Sequence, residues 1–121
     1  MSKIKHYETM FILKPTLTEE ETVAQIDGIK AIIEKNGGEI VSFDNVGQRE
    51  LAYEIEKCKR GYYYVIYFRG NPSGIAEIER NYRNNEDLIR FIFIKYDTKK
   101  EVASWTKMSD EAAKKLINNN I

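Results

Sequence analysis

The run Tyr62-Tyr63-Tyr64-Val65-Ile66-Tyr67-Phe68-Arg69 limits the choice of fold more than any other stretch of the chain. Aromatic and β-branched residues favour a strand, and alternate residues of a strand face opposite sides. Both sides are bulky here, so the run predicts a central strand rather than an edge. Its neighbours in sequence decide which layer covers it.

Tyr7 to Leu13 is a second such stretch, stopped at Lys14-Pro15 because proline cannot donate to a ladder. Thr18-Glu19-Glu20-Glu21 has the form of a capping box. Val23, Ile26, Ile29 and Ile33 then recur at helical spacing, and Gly37-Gly38 supplies a helix stop. A helix is predicted over about Thr18 to Asn36. Glu39 to Val46 and Gln48 to Ile55 read as one strand bent at Gly47, and the polar segment from Glu56 to Gly61 as a hairpin loop. Asn71-Pro72 opens a second helix with asparagine as cap and proline at the first helical position. Ile75, Ile78 and Tyr82 form its stripe, and Asn84-Asn85 ends it. Leu88 to Tyr96 is a fourth strand. Beyond Asp97 the composition changes: Ser109 to Ile117 reads as a short helix and Asn118-Asn119-Asn120 as a frayed end. Residues 1–97 are expected to form the domain and 98–121 a C-terminal extension.

The order strand, helix, strand, strand, helix, strand predicts a ferredoxin-like α+β fold, a four-stranded antiparallel sheet with both helices on one face. The other face lacks a helix in this arrangement, so it is solvated or covered by a partner.

Several chemistries are excluded. His6 is the sole histidine and lies near a terminus, and Cys58 is the sole cysteine, so neither a nucleophilic triad nor a zinc cluster can be assembled. The charges flanking Cys58 (Lys57, Lys59, Arg60) would lower a thiol pKa, but no resolving cysteine exists. Gly37-Gly38 follows a helix, whereas phosphate loops precede one. Glu19, Glu20 and Glu21 sit where a helix dipole favours negative charge, which accounts for them without catalysis. No enzyme activity, cofactor, metal or small-molecule substrate is expected. A lone cysteine suits a reducing compartment. The apolar run Met10 to Leu13 is too short for a signal peptide, and Tyr62 to Phe68 too short to cross a bilayer as a helix. A soluble, cytoplasmic protein is expected.

The 19 basic and 19 acidic residues cancel, so coating nucleic acid by net charge is disfavoured. Local sites remain. Arg60-Gly61-Tyr62-Tyr63-Tyr64-Val65-Ile66-Tyr67 follows the third-strand signature of the RNA-recognition module except at Tyr63, where that module wants a small residue, with Tyr64 a conservative change. Tyr62, Tyr63, Tyr64, Tyr67 and Phe68 could stack bases on an open sheet face. Strand propensity and packing under helices are the stronger explanation. The basic residues Lys3, Lys5, Arg80, Arg83 and Arg90 are the candidate RNA contacts; Arg80 and Arg83 share a helix face. Asp44, Val46, Arg49 and Leu51 are the candidate contacts to a protein partner. Their strand is expected at an edge, where unpaired amides and carbonyls invite another chain.

Two stretches carry a resemblance to a known family: Lys5-His6-Tyr7-Glu8-Thr9-Met10-Phe11-Ile12-Leu13-Lys14-Pro15, and Gly47-Gln48-Arg49-Glu50-Leu51-Ala52-Tyr53-Glu54-Ile55, which runs on through Lys57 to Gly61-Tyr62-Tyr63. With Ile92-Phe93-Ile94-Lys95, they resemble the family of bacterial small-ribosomal-subunit protein six over about residues 3 to 97. The resemblance implies the same ferredoxin-like fold and a non-enzymatic role. It also implies a heterodimer with protein eighteen of the same subunit and binding of that pair to the central domain of small-subunit ribosomal RNA. Half of a heterodimer need not carry all the phosphate contacts, which fits the zero net charge. Glu50 departs from the family pattern, where many members carry a second basic residue, and the segment after Asp97 is poorly matched. The competing reading is a stand-alone single-strand RNA binder of the recognition-module type.

Overall fold

The computed structural model describes residues 4–55 and 57–119, with side chains as far as Lys115. The strands are β1 (Lys5–Leu13), β2 (Glu39–Ile55), β3 (Cys58–Gly70) and β4 (Leu88–Tyr96). The helices are α1 (Glu19–Lys35), α2 (Ile75–Arg83) and α3 (Lys99–Asn119), with a short 3₁₀ turn at Pro72–Gly74 leading into α2. The sheet order is β2-β3-β1-β4, and every neighbouring pair is antiparallel. The ferredoxin-like order is therefore present, with the tyrosine-rich strand inside the sheet and β2 at an edge.

One sheet face is built as the sequence predicts. Tyr7, Phe11 and Leu13 of β1 join Tyr64, Ile66 and Phe68 of β3 beneath Ile29 and Ile33 of α1 and Ile78 and Tyr82 of α2. Thr9 lies among them with its hydroxyl donating to the Tyr82 oxygen at 3.2 Å, since a buried hydroxyl without a partner is costly. Burial raises the Tyr82 phenol pKa. The Thr18 capping box closes as expected: the Glu21 amide donates to Thr18 Oγ1 at 3.1 Å and the Thr18 amide to Glu21 Oε1 at 2.9 Å. Asn71 caps the 3₁₀ turn by accepting from the Ser73 amide.

The second face differs from expectation. The segment after Asp97 is a helix from Lys99 onward, and it lies across the face expected to lack one. A second capping box starts it: Thr98 Oγ1 accepts from the Glu101 amide at 3.1 Å, while Glu101 Oε1 accepts from the Thr98 amide at 3.0 Å. Trp105 and Ala112 then bury against Val65 and Tyr67, with Met10, Val46, Tyr96 and Met108 around them. The Trp105 indole N–H donates to the Tyr7 carbonyl at 2.8 Å. The Ser42 and Ser109 hydroxyls pair at 3.0 Å in a buried position. His6 packs edge-on against Trp105, ring centroids 4.6 Å apart. His6 and Lys5, expected ahead of the first strand, are thus part of β1.

Two further departures concern the β2–β3 hairpin. Ile55 pairs with Cys58, so Cys58 to Gly61 are strand rather than loop, and Lys57 in the tight turn has φ of 67°. Gly47 has φ of 97° and sits where the β2 register shifts between Asn45 and Gly47. A bulge at a left-handed glycine is the expected device for bending a long strand. Past the bulge, β2 and β3 form an arm. At its root a Cβ on Gly61 would collide with the Ile12 side chain, so only glycine lets β1 and the arm approach this closely.

Trp105→Ala removes the largest side chain from the second core and orphans the Tyr7 contact. It is expected to lower the unfolding free energy by about 3–5 kcal/mol in urea titration; a loss below about 1 kcal/mol would show that α3 is not part of the cooperative unit.

Desolvation, then the Arg69 guanidinium, holds the His6 imidazole below its ordinary pKa of 6.5. The unfolded chain therefore takes up this proton first on acidification. The His6 contribution is complete above pH 6.5 and is lost as pH falls through the depressed value. Urea midpoints should fall as pH drops below about 6.5, and His6→Phe should flatten that slope.

Candidate nucleic-acid interface

Strand β1 ends where β4 begins, and this corner is fixed by a network of polar contacts. The Lys14 amide donates to the Asp87 carbonyl at 3.0 Å. Gln25 of α1 donates to Asp87 Oδ2 at 3.0 Å and accepts from Asn85 Nδ2 at 2.6 Å, while the Asp87 amide donates to Asn85 Oδ1 at 3.0 Å. Buried Leu88 anchors the strand behind them. An open cleft of about 710 Å³ results, lined by Lys14, Arg83, Asn85, Glu86 and Arg90 among others. Three cations face one carboxylate there. A rigid, cation-lined concavity is the kind of surface that receives phosphate oxygens.

The five basic candidates do not converge. Arg83 and Arg90 line the cleft. Arg80 lies on α2 and is held by Glu77 through contacts of 3.0 and 2.5 Å; in the last turn it also complements the helix dipole. Arg83 has a looser contact to Glu79 at 3.5 Å. Lys5 pairs with Asp97 at 3.2 Å at the opposite end of β1. His6 faces Tyr96 and Ile12 faces Arg90, so roughly 20 Å of strand separates Lys5 from the cleft. Lys3 lies outside the described residues.

The partner candidates divide at the Gly47 bulge. Asp44 accepts from Lys115 of α3 at 2.9 Å, and Val46 packs into the Trp105 cluster. Both side chains thus already meet the chain's own helix. Beyond the bulge, Arg49 is exposed and donates to the Gln48 carbonyl at 3.0 Å. Leu51 lines a shallow hollow with Glu50, Glu54 and Lys59.

The aromatic strand is mostly consumed by packing. Tyr64 and Phe68 lie in the core under α1 and α2, with Tyr62 packed against it. Tyr67 is beneath Trp105, ring centroids 6.3 Å apart. Burial, then the charges of Glu8, Asp44 and Glu111, pushes its phenol up to about 12. Tyr63 alone of the five remains half-exposed on the second face, in a groove with Met10, Ile12, Arg90 and Ile92. The recognition-module register is thus turned the wrong way, its Tyr62 and Tyr64 positions pointing to the helices.

Two residues of this corner were not singled out in the sequence. Lys14 ends β1 beside Pro15, and its local pattern signals only a strand stop. Tyr53 belongs to the arm, with the Arg90 guanidinium over its ring at 5.1 Å and 56% of its surface exposed. Because β2 and β4 are opposite edges of the sheet, no sequence spacing points to this contact. Among the described residues no group of three His, Cys, Asp or Glu side chains could hold a metal ion.

Known proteins settle the kinship of this architecture. The family model described as ribosomal protein S6 matches residues 6–95. This chain belongs to the ribosomal protein S6 family. Small ribosomal subunit protein bS6 of Helicobacter acinonychis is 58% identical over 112 residues, covering 93% of this chain and 79% of that protein. The protein of the same name from Nitratiruptor is 52% identical over 111 residues, covering 92% and 87%. The crystal structure of 30S ribosomal protein S6 from Thermotoga maritima superposes with a TM-score of 0.77 at 33% identity, covering 89% of this chain and 99% of that one. Family membership makes the chain a structural component of the small ribosomal subunit, cytoplasmic with the ribosome, and not an enzyme.

Proposed function

We propose that this chain pairs with protein eighteen of the same subunit and that the pair binds the central domain of small-subunit ribosomal RNA. The observation that carries the RNA half of this reading is the Lys14, Arg83 and Arg90 cleft on a chain whose net charge is zero. Local base is available for a few phosphates but not for a long backbone track, so a second protein supplies the remainder. Arg83 and Arg90 make the principal contacts of the five basic candidates. Lys5 and Arg80, each tied to a carboxylate, contribute at the periphery, and Lys3 is the remaining candidate.

The partner is assigned to the outer edge of β2 around Asp44, Val46, Arg49 and Leu51. With Asp44 and Val46 already in contact with α3 on one face, the strand offers its backbone edge there and its side chains at Arg49 and Leu51. Charge at an edge blocks self-pairing and selects a complementary chain.

Titration of a central-domain RNA fragment with this chain alone should give weak binding at near-physiological salt, and with the partner present, tight binding. Arg83→Ala should lower the salt slope of the complex by roughly 0.7–0.9. Equal affinity with and without the partner would defeat the heterodimer and favour the stand-alone reading.

Arg49→Glu should leave thermal unfolding unchanged, because Arg49 is exposed, while weakening the pairing with protein eighteen in calorimetry. An unaltered affinity would remove the β2 edge from the interface.

A further inference from the structure

The half of the second sheet face that α3 leaves uncovered is neither featureless nor uniformly apolar. Ile92 is 44% exposed there, beside half-exposed Tyr63 and Met10. The β2–β3 arm adds a fourth flat element. Tyr53 stands on β2, yet its ring meets Arg90 of the opposite edge strand at 5.1 Å, so the arm bends back across the end of the sheet. An exposed tyrosine ring held against a guanidinium is a planar, polarised surface. Arg90 also lines the cationic cleft with Lys14 and Arg83. A flat aromatic shelf therefore continues into an open, cation-lined concavity of about 710 Å³ through one shared residue.

We propose that Tyr53, braced by Arg90, stacks an unpaired nucleobase of the bound RNA while the adjoining phosphates occupy the cleft. The proposal rests on the RNA-binding reading above and adds to it the kind of nucleotide recognised. Every base has a π-face, so stacking selects an unstacked nucleotide (a bulge or a single-stranded junction) rather than a particular base. Arginine planes serve the same purpose. An apolar protein segment would match Ile92 and Met10 but would bring no anionic groups to a cleft whose lining carries Lys14, Arg83 and Arg90 against the single carboxylate of Glu86. The charge pattern favours RNA.

The test compares Tyr53→Ala and Tyr53→Phe with the natural chain, each in complex with its partner protein, on the central-domain RNA fragment. Tyr53→Ala should weaken RNA binding roughly 5- to 150-fold, the range for loss of one base stack. Its salt slope should stay unchanged, because no phosphate contact is lost. Tyr53→Phe keeps the ring and should bind within about twofold of the natural chain. Circular dichroism of both variants should match the natural protein, the side chain being exposed. RNA affinity of Tyr53→Ala equal to the natural chain's overturns the shelf. So does a drop in its affinity for the partner measured without RNA, which would make this face a protein interface. If the natural complex does not bind the fragment, the RNA-binding reading has failed, and the shelf is decided on the isolated chain with single-stranded oligoadenylate of about eight nucleotides. Binding that Tyr53→Ala abolishes sustains it, and absence of binding overturns it.

Discussion

The Trp105 indole donates to the Tyr7 carbonyl at 2.8 Å while its ring covers Val65 and Tyr67. This contact joins the last helix to the middle of the sheet and decides how much of the second face meets solvent. A four-stranded sheet with helices on one side has an apolar reverse that must be hidden or used. Docking of α3 hides the part formed by His6, Val65, Tyr67 and Tyr96. The remainder, from Met10 through Tyr63 to Ile92, stays open next to the cationic corner. Ser42 and Ser109 show how close the approach is, since only small side chains permit their buried hydroxyl pair at 3.0 Å.

The corner and the arm depend on each other through Arg90. Its backbone belongs to β4, paired with Ile12, and β1 holds both in place from the centre of the sheet. Its side chain meets Tyr53 and also borders the cleft. The Gly47 bulge bends the long second strand, and the missing Cβ at Gly61 lets Ile12 close against the arm's root. Secondary structure alone would have placed Tyr53 far from β4.

The first helix and all four strands were legible because their signals are local: a capping box, an apolar stripe at helical spacing, alternation, and proline or glycine stops. The last helix carries a signal of the same kind. Thr98-Lys99-Lys100-Glu101 repeats the capping box of Thr18 to Glu21, and Val102, Trp105, Ser109 and Ala112 recur at helical spacing. Two of those four are small and weakly hydrophobic, so the stripe does not stand out by hydropathy, although small residues are what close packing on a sheet requires. The hairpin loop is shorter than the sequence predicts, because the polar run from Lys57 to Arg60 lies at an end of the sheet where strand residues meet solvent on both faces. Among the site residues, Arg83 and Arg90 were visible as charges, but their union with Lys14 is set by the turn between α2 and β4. The Tyr53–Arg90 contact joins opposite edges of the sheet and has no local signature at all.

Strand β1 precedes the other three strands of the sheet in the chain and is one of the two innermost, while its neighbour β4 follows the other three. Their register pairs Tyr7 with Lys95 and Phe11 with Phe91. As the chain is synthesised, β1 can find β3 first, but its other edge stays unpaired until β4 has emerged as well. The first strand must wait for the last, so the sheet cannot close progressively from its N-terminus. Such long-range closure makes folding slow relative to local helix formation, and it leaves an apolar strand edge exposed during the interval in which nascent chains are most prone to mispair.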